Sequence, residues 1–134
     1  MHDIRIPHQK SVDSLNTSVF KLLFPIGPAM PDGVNVDPPA CLEAQLSSIL
    51  SGLTEEQEEV MQSFLAAFGE LRETLLRDAV FMLESDPAAT ELMEVIAIYP
   101  GFYAIFCYRI AHFLAQKHVV LLPRMITEHA HRVT

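Results

Sequence analysis

The stretch YPGFYAIFCYRIAHFLAQ, Tyr99 to Gln116, decides how the rest of the chain is read. It is rich enough in aliphatic and aromatic side chains to pose three alternatives: a membrane span, a cofactor segment or a core helix. A span needs about 20 consecutive apolar residues. Here Pro100, Gly101 and Arg109 interrupt the run and Lys117 ends it, and an arginine near a bilayer centre costs at least about 2.5 kcal/mol. On a helix, Tyr103, Phe106, Cys107, Ile110, Phe113 and Leu114 share one broad face, while Ile105, Arg109, His112 and Gln116 share another. The segment is therefore predicted to be a core helix with a polar edge formed by Arg109 and His112, and no membrane span is expected. A buried guanidinium must be paired. Asp78, Glu84, Asp86, Glu91 and Glu94 on the preceding segments are the candidate partners. If the partner acid is buried, Arg109→Ala is predicted to cost about 3 kcal/mol or more. His112 reads as a satisfied core histidine rather than a ligand.

Working back from this helix, Pro100 disfavours helical geometry at Tyr99 and separates a shorter helix ending near Ile98. Asp86 and Pro87 read as the N-cap and first turn of that shorter helix. Before it, Val60, Phe64, Leu65, Phe68, Leu71, Leu75, Ala79 and Met82 form one apolar stripe, which predicts a single long helix. Thr54 and Gln57 fit a capping box at its start. Leu42, Leu46, Ile49, Leu50 and Leu53 predict another helix, stopped near Gly52. After the central helix, Val119 to Arg132 reads as a last one, with Pro123 early in it. Ser14 to Phe24 reads as a short helix, with Leu15 and Val19 on one side.

Five of the nine prolines lie between Pro25 and Pro39, which excludes a regular helix there. The chain is accordingly divided into an N-terminal extension with a proline-rich linker, residues 1–39, and a helical domain, residues 40–134. With no period-two runs and no hairpin dipeptides inside apolar stretches, the fold class is all-α: a bundle or hairpin domain of about five helices after an irregular proline-rich segment.

The 134 residues suffice for one domain with its own core. Net charge is −8, and from Glu43 to Glu94 there are 12 acids against 2 bases. That balance argues against non-specific nucleic-acid binding, which needs a basic footprint. Cys41 and Cys107 fit no CxxC or metal spacing and read as buried free thiols. With no apolar signal core in MHDIRIPHQK, the expected location is the cytoplasm. His129 and His131 stand two apart and point in different directions on a helix, so no metal site is expected. There is no HExxH, no Gly-rich phosphate loop and no nucleophile elbow.

The motif DPAA at Asp86–Ala89, followed about ten residues later by YPGFYAIFCYRIAHFL, resembles the N-terminal helical region of bacterial serine acetyltransferases. The matching positions are Asp86, Pro87, Ala88, Tyr99, Gly101, Phe102, Ala104, Tyr108, Arg109, Ile110, Ala111, His112 and Leu114. Tyr103 stands where that family usually has histidine, and Ile105-Phe106-Cys107 replace Leu-Gln-Ala, which puts a polar role for these positions in doubt. Residues 1–40 carry no resemblance.

The resemblance implies an enzyme that moves an acetyl group from acetyl-CoA to the hydroxyl of L-serine in cysteine biosynthesis. It implies that the catalytic groups and the coenzyme site lie in a following hexapeptide-repeat β-helix, so no catalytic residue, cofactor or metal is assigned to these helices and the chain by itself is expected to be inactive. It also implies that Asp86 binds the substrate, plausibly its ammonium group, as one wall of the serine site. Self-association through the helices is implied, as is a cysteine synthase partner for the full enzyme. The competing reading is a non-enzymatic helical oligomerisation module, using the stripe from Val60 to Met82.

Overall fold

A computed structural model describes residues 4–25 and 39–134. The expectation for the proline-rich segment Pro25–Pro39 falls almost wholly outside these residues. Among the described residues there are seven helices and no strand: α1 Gln9–Leu23, α2 Ala40–Leu50, α3 Gln57–Ala66, α4 Phe68–Ser85, α5 Leu92–Ile98, α6 Pro100–Gln116 and α7 Leu122–Val133. The all-α class stands, with seven helices rather than about five.

One added helix comes from splitting the long apolar stripe. Its helix breaks at Ala67, whose φ of −84° and ψ of −8° leave regular helical geometry. Phe64 and Phe68 flank the break with ring centroids 4.9 Å apart, and both are buried. The capping box does not form. Glu56, not Thr54, occupies the N-cap of α3 and makes no side-chain cap bond. Gln57 instead donates its amide to the Ser47 carbonyl at 3.0 Å, tying α3 to α2.

The remaining helix is α1, expected over Ser14 to Phe24 but beginning at Gln9; its Val12, Leu15, Val19 and Leu23 are buried in the same hydrophobic core as α2 to α7. Phe20 of α1 meets Phe106 edge-on at 5.0 Å and Tyr103 at 5.1 Å, both from α6. Asn16, only 2% exposed, donates its amide to Tyr103 Oη and to Cys107 Sγ, each at 3.1 Å. Thus two of the positions that depart from the family pattern carry polar contacts, and both receive α1. Residues ahead of α1 are held as well. Arg5 donates its N–H to the Gly52 carbonyl at 2.9 Å. A Cβ on Gly52 would come 2.7 Å from the Arg5 carbonyl oxygen, so glycine here permits close approach in addition to ending α2.

α6 lies at the centre, with Phe102, Phe106, Cys107, Ile110, Ala111 and Leu114 buried. Pro100 opens it and holds Tyr99 at an extended ψ of 117°. α6 and α7 make the most extensive helix pairing. The turn between them is strained: His118 has φ 60°, and Leu121 has φ 68° and ψ −44°. The Leu122 N–H donates to the Val120 carbonyl at 2.7 Å across that turn, an i to i+2 closure rarely adopted by residues other than glycine. Among the described residues no single helix is long and apolar enough to cross a membrane; α5 and α6 together are bent by 71°.

Candidate functional site

Three sequence-derived positions, Asp86, Arg109 and His112, lie in two separate places. Arg109 projects from α6 toward α4. Its Nε donates to Asp78 Oδ2 at 2.5 Å and its terminal nitrogen donates to Oδ1 at 2.8 Å, a two-pronged ion pair. This pairing holds the guanidinium pKa above its ordinary value. The side chains are 39% and 21% exposed, so water screens the pair. Removing one partner leaves the other partly hydrated rather than stranded. The larger cost predicted for a buried acid therefore does not apply, and Arg109→Ala is expected to lower stability by about 1–2 kcal/mol. A double-mutant cycle with Asp78→Asn, read by urea unfolding, checks this: additive losses would mean that the pair contributes nothing.

His112 is exposed and stands one helical turn beyond Arg109. Both line a cavity of about 620 Å³, with Leu71, Ile105 and Phe113 among its apolar walls. The core histidine expected at position 112 is found at 129 instead, and only its Nε2 has a hydrogen-bond partner.

Asp86 sits elsewhere. It does not cap α5, which begins only at Leu92 behind an extended Glu91. It is the C-cap residue of α4, with φ −112° and ψ 109°, and its own N–H donates to the Met82 carbonyl. Its Oδ1 accepts the Ala88 N–H at 2.9 Å, closing a tight turn. The side-chain chemistry that makes aspartate a good N-cap makes it equally good in this turn. α5 brings Tyr99 back beside Asp86. Desolvation, and then the neighbouring carboxylates of Asp86 and Glu94, raise the Tyr99 phenol above its ordinary pKa. Glu94 Oε1 accepts the Thr90 N–H at 3.2 Å. Asp78 and Asp86 are eight positions apart on α4, roughly 12 Å along its axis. The Arg109 edge therefore makes no contact that holds Asp86.

A polar group missed in the sequence lies under α1. His129, 6% exposed, faces the core from α7 with Leu122 and Ile126. Its Nε2 is 2.8 Å from Tyr103 Oη, and its Nδ1 is 3.1 Å from Asp13 Oδ1 in a contact too poorly aligned for a directed hydrogen bond. Arg132 also reaches Asp13, at 3.1 Å. Burial opposes ionisation of Asp13, but the Gln9 amide, His129 and Arg132 outweigh it and hold its pKa below the usual value. Burial pushes the Cys107 thiol up to about 11 and raises the Tyr103 phenol. The position of His129 among Leu122, Ile126 and Ala130 was the signal: it falls on the apolar face of an amphipathic helix. Among the described residues no three His, Cys, Asp or Glu side chains gather as a metal site. Cys41 is exposed, contrary to the expectation of two buried thiols.

No family model matches the chain. A serine acetyltransferase of Synechococcus elongatus is 43% identical over 54 residues, which is 40% of this chain and 22% of that protein. A plasmid-borne serine acetyltransferase of the same organism is 35% identical over 82 residues, 61% of this chain and 26% of that protein. The serine acetyltransferase of Helicobacter pylori is 38% identical over 53 residues, 40% of this chain and 31% of that protein. The chain thus spans less than a third of the length of these curated relatives. Among solved structures, serine acetyltransferase isoform 3 of Entamoeba histolytica in complex with cysteine has a TM-score of 0.66 at 22% identity, covering 100% of this chain and 48% of that one. Serine acetyltransferase 1 of the same organism, in complex with L-cysteine, gives 0.65 at 24% identity, covering 98% and 51%. In sequence over part of its length, and in fold over nearly all of it, this helical chain is similar to serine acetyltransferases.

Proposed function

We propose that this chain is the N-terminal helical domain of a cytoplasmic serine O-acetyltransferase, the enzyme that transfers acetyl from acetyl-CoA to L-serine to give O-acetylserine. The observation that carries the reading is the 82-residue match at 35% identity to a serine acetyltransferase. The helices supply no nucleophile or base for the transfer. Their contribution is one wall of the serine site, where Asp86 receives the substrate ammonium group. The Ala88 N–H fixes one oxygen of that carboxylate, and the group stays partly exposed, which suits a charge-assisted contact to a cation. A second contribution is self-assembly. Phe81 and Ile98 are each 70% exposed and Met93 is 61% exposed, which gives α4 and α5 apolar surface for a second copy. Neither acetyl-CoA nor a cysteine synthase partner is assigned to residues of this chain.

The test is steady-state release of coenzyme A by a longer protein containing this chain. Asparagine at position 86 keeps the acceptor for Ala88 but loses the charge. Asp86→Asn is expected to raise the KM for serine about tenfold or more, from the loss of a contact worth roughly 1.5–3 kcal/mol. The KM for acetyl-CoA should stay within about twofold, far less than one such contact would produce. Equal rises for both substrates would reduce Asp86 to a structural turn residue. Absence of serine-dependent coenzyme A release would remove the enzymatic reading itself.

A further inference from the structure

The cavity beside Arg109 is a groove between two helices that run in opposite directions. Asp78, late in α4, meets Arg109 of α6. Phe64, ahead of α4, has its ring centroid 5.6 Å from that of Phe113, further along α6. The groove therefore has two unlike ends. At one end, Asp78 grips Arg109 through Nε and one terminal nitrogen. Arg109 lines the cavity and Asp78 does not, so the carboxylate holds the guanidinium from behind. The second terminal nitrogen bonds no other described residue and keeps its N–H donors for the groove. The ion pair is neutral overall, so attraction at this end comes from directed donors on a fixed plane. At the other end stand Glu70 and Gln116. Glu70 lies eight positions before Asp78, roughly 12 Å along α4, and forms no ion pair with a described residue.

Between the ends, Leu71, Ile105 and Phe113 give a partly exposed apolar floor. Tyr108, His112 and Gln116 follow at four-residue intervals along one face of α6, and they hydrogen-bond no other described residue. The volume of about 620 Å³ falls within the roughly 300–1,000 Å³ of small-ligand sites. Donors for an anion at one end, a carboxylate at the other, an apolar floor and an unused polar wall together define the occupant. We infer that this groove binds a short apolar peptide with both termini free. Its carboxylate meets Arg109, its ammonium group meets Glu70, and its side chains cover Leu71, Ile105 and Phe113. Three extended residues span roughly 10–11 Å, which matches the separation of the two ends. The peptide amides face His112 and Gln116. Because Asp78 already orders Arg109, less side-chain entropy is lost on binding. This site is separate from Asp86 and does not rest on the serine-site reading.

The experiment titrates the protein with the tripeptide Leu-Ala-Leu and follows the backbone amide signals by heteronuclear NMR. Shifts are expected at Leu71, Ile105 and Phe113. Acetylating the peptide N-terminus, or amidating its C-terminus, should each weaken binding about tenfold, the effect of one charge-assisted contact. A linear ω-aminooctanoate, which carries both charges but no amide, should bind about fivefold more weakly than the peptide. Glu70 is exposed, so Glu70→Gln should fold as the wild type does. It is expected to abolish the effect of acetylation and to leave that of amidation. Arg109→Gln should do the reverse, with a melting curve confirming that it is folded. If it does not fold, Glu70→Gln and the capped peptides decide the matter. Equal binding of free and capped peptides, shifts confined to other residues, or an undiminished effect of acetylation in Glu70→Gln overturns the inference. Equal binding of the aminooctanoate overturns the peptide as its ligand.

Discussion

Phe106→Ala is expected to lose about 3–5 kcal/mol of folding stability. The ring is fully buried at the centre of α6 and touches aromatic partners on two helices. Phe20 of α1 meets it edge-on at 5.0 Å, and Tyr103 lies 5.6 Å away. Such pairs add about 0.5–1.5 kcal/mol beyond area burial. Truncation removes the ring and leaves a cavity that two rigid helices cannot close. The loss is a large fraction of the roughly 5–15 kcal/mol available to a domain. Urea unfolding followed by circular dichroism measures it. Phe81→Ala, on the exposed face of α4, is the control, with an expected change within about 0.5 kcal/mol. A Phe106→Ala loss no greater than that of the control would mean that α1 does not enclose the ring.

The second large effect is an alkaline loss of stability that originates at one thiol. Cys107 is fully buried, and burial raises its pKa to about 11. In the unfolded chain a cysteine ionises near pH 8.5, roughly the ordinary value. A folded pKa above the unfolded one means that the contribution is complete below about pH 8.5 and is lost as pH rises toward about 11. Each unit of separation is worth about 1.4 kcal/mol, so the loss across this window of roughly 2.5 units reaches about 3.5 kcal/mol. Tyr103, raised by the same burial, acts in the same direction at higher pH. Unfolding free energies measured at several values from pH 7.5 to 11 should therefore fall more steeply for wild type than for Cys107→Ala. Parallel curves would place the alkaline sensitivity elsewhere. Reaction with a thiol reagent at neutral pH should modify Cys41, which is exposed, before Cys107.

How far the sequence could be read depended on what kind of signal each element carries. The central helix was legible because its apolar face and its breaker, Pro100, are both local. The break at Ala67 was not. Alanine is the best helix former, so no residue type at the break announces it. The turn holding Leu121 at positive φ contains neither glycine nor asparagine, so nothing in its letters announced it. Asp86 was picked out as a site candidate from its motif, but its backbone role was misread, because one carboxylate serves a cap or a tight turn equally well. The cluster of Asn16, Tyr103, Cys107 and His129 needed tertiary information, since its members come from three helices. In the sequence each of them looks like an isolated polar interruption.

The attachment of α1 has a consequence for how the protein is made. Gln9 reaches the Met125 carbonyl across 116 positions, Asn16 reaches Tyr103 across 87, and Asp13 receives Arg132 across 119. α1 leaves the ribosome well before the helices that cover it. At roughly 5–20 residues per second, the 119 positions between Asp13 and Arg132 correspond to a wait of roughly 6–24 s. During that interval Val12, Leu15, Val19 and Leu23 have no α6 or α7 to pack against. Nascent chains that stall before Arg132 would thus present an uncovered apolar helix to chaperones, and release from them should coincide with the emergence of α7.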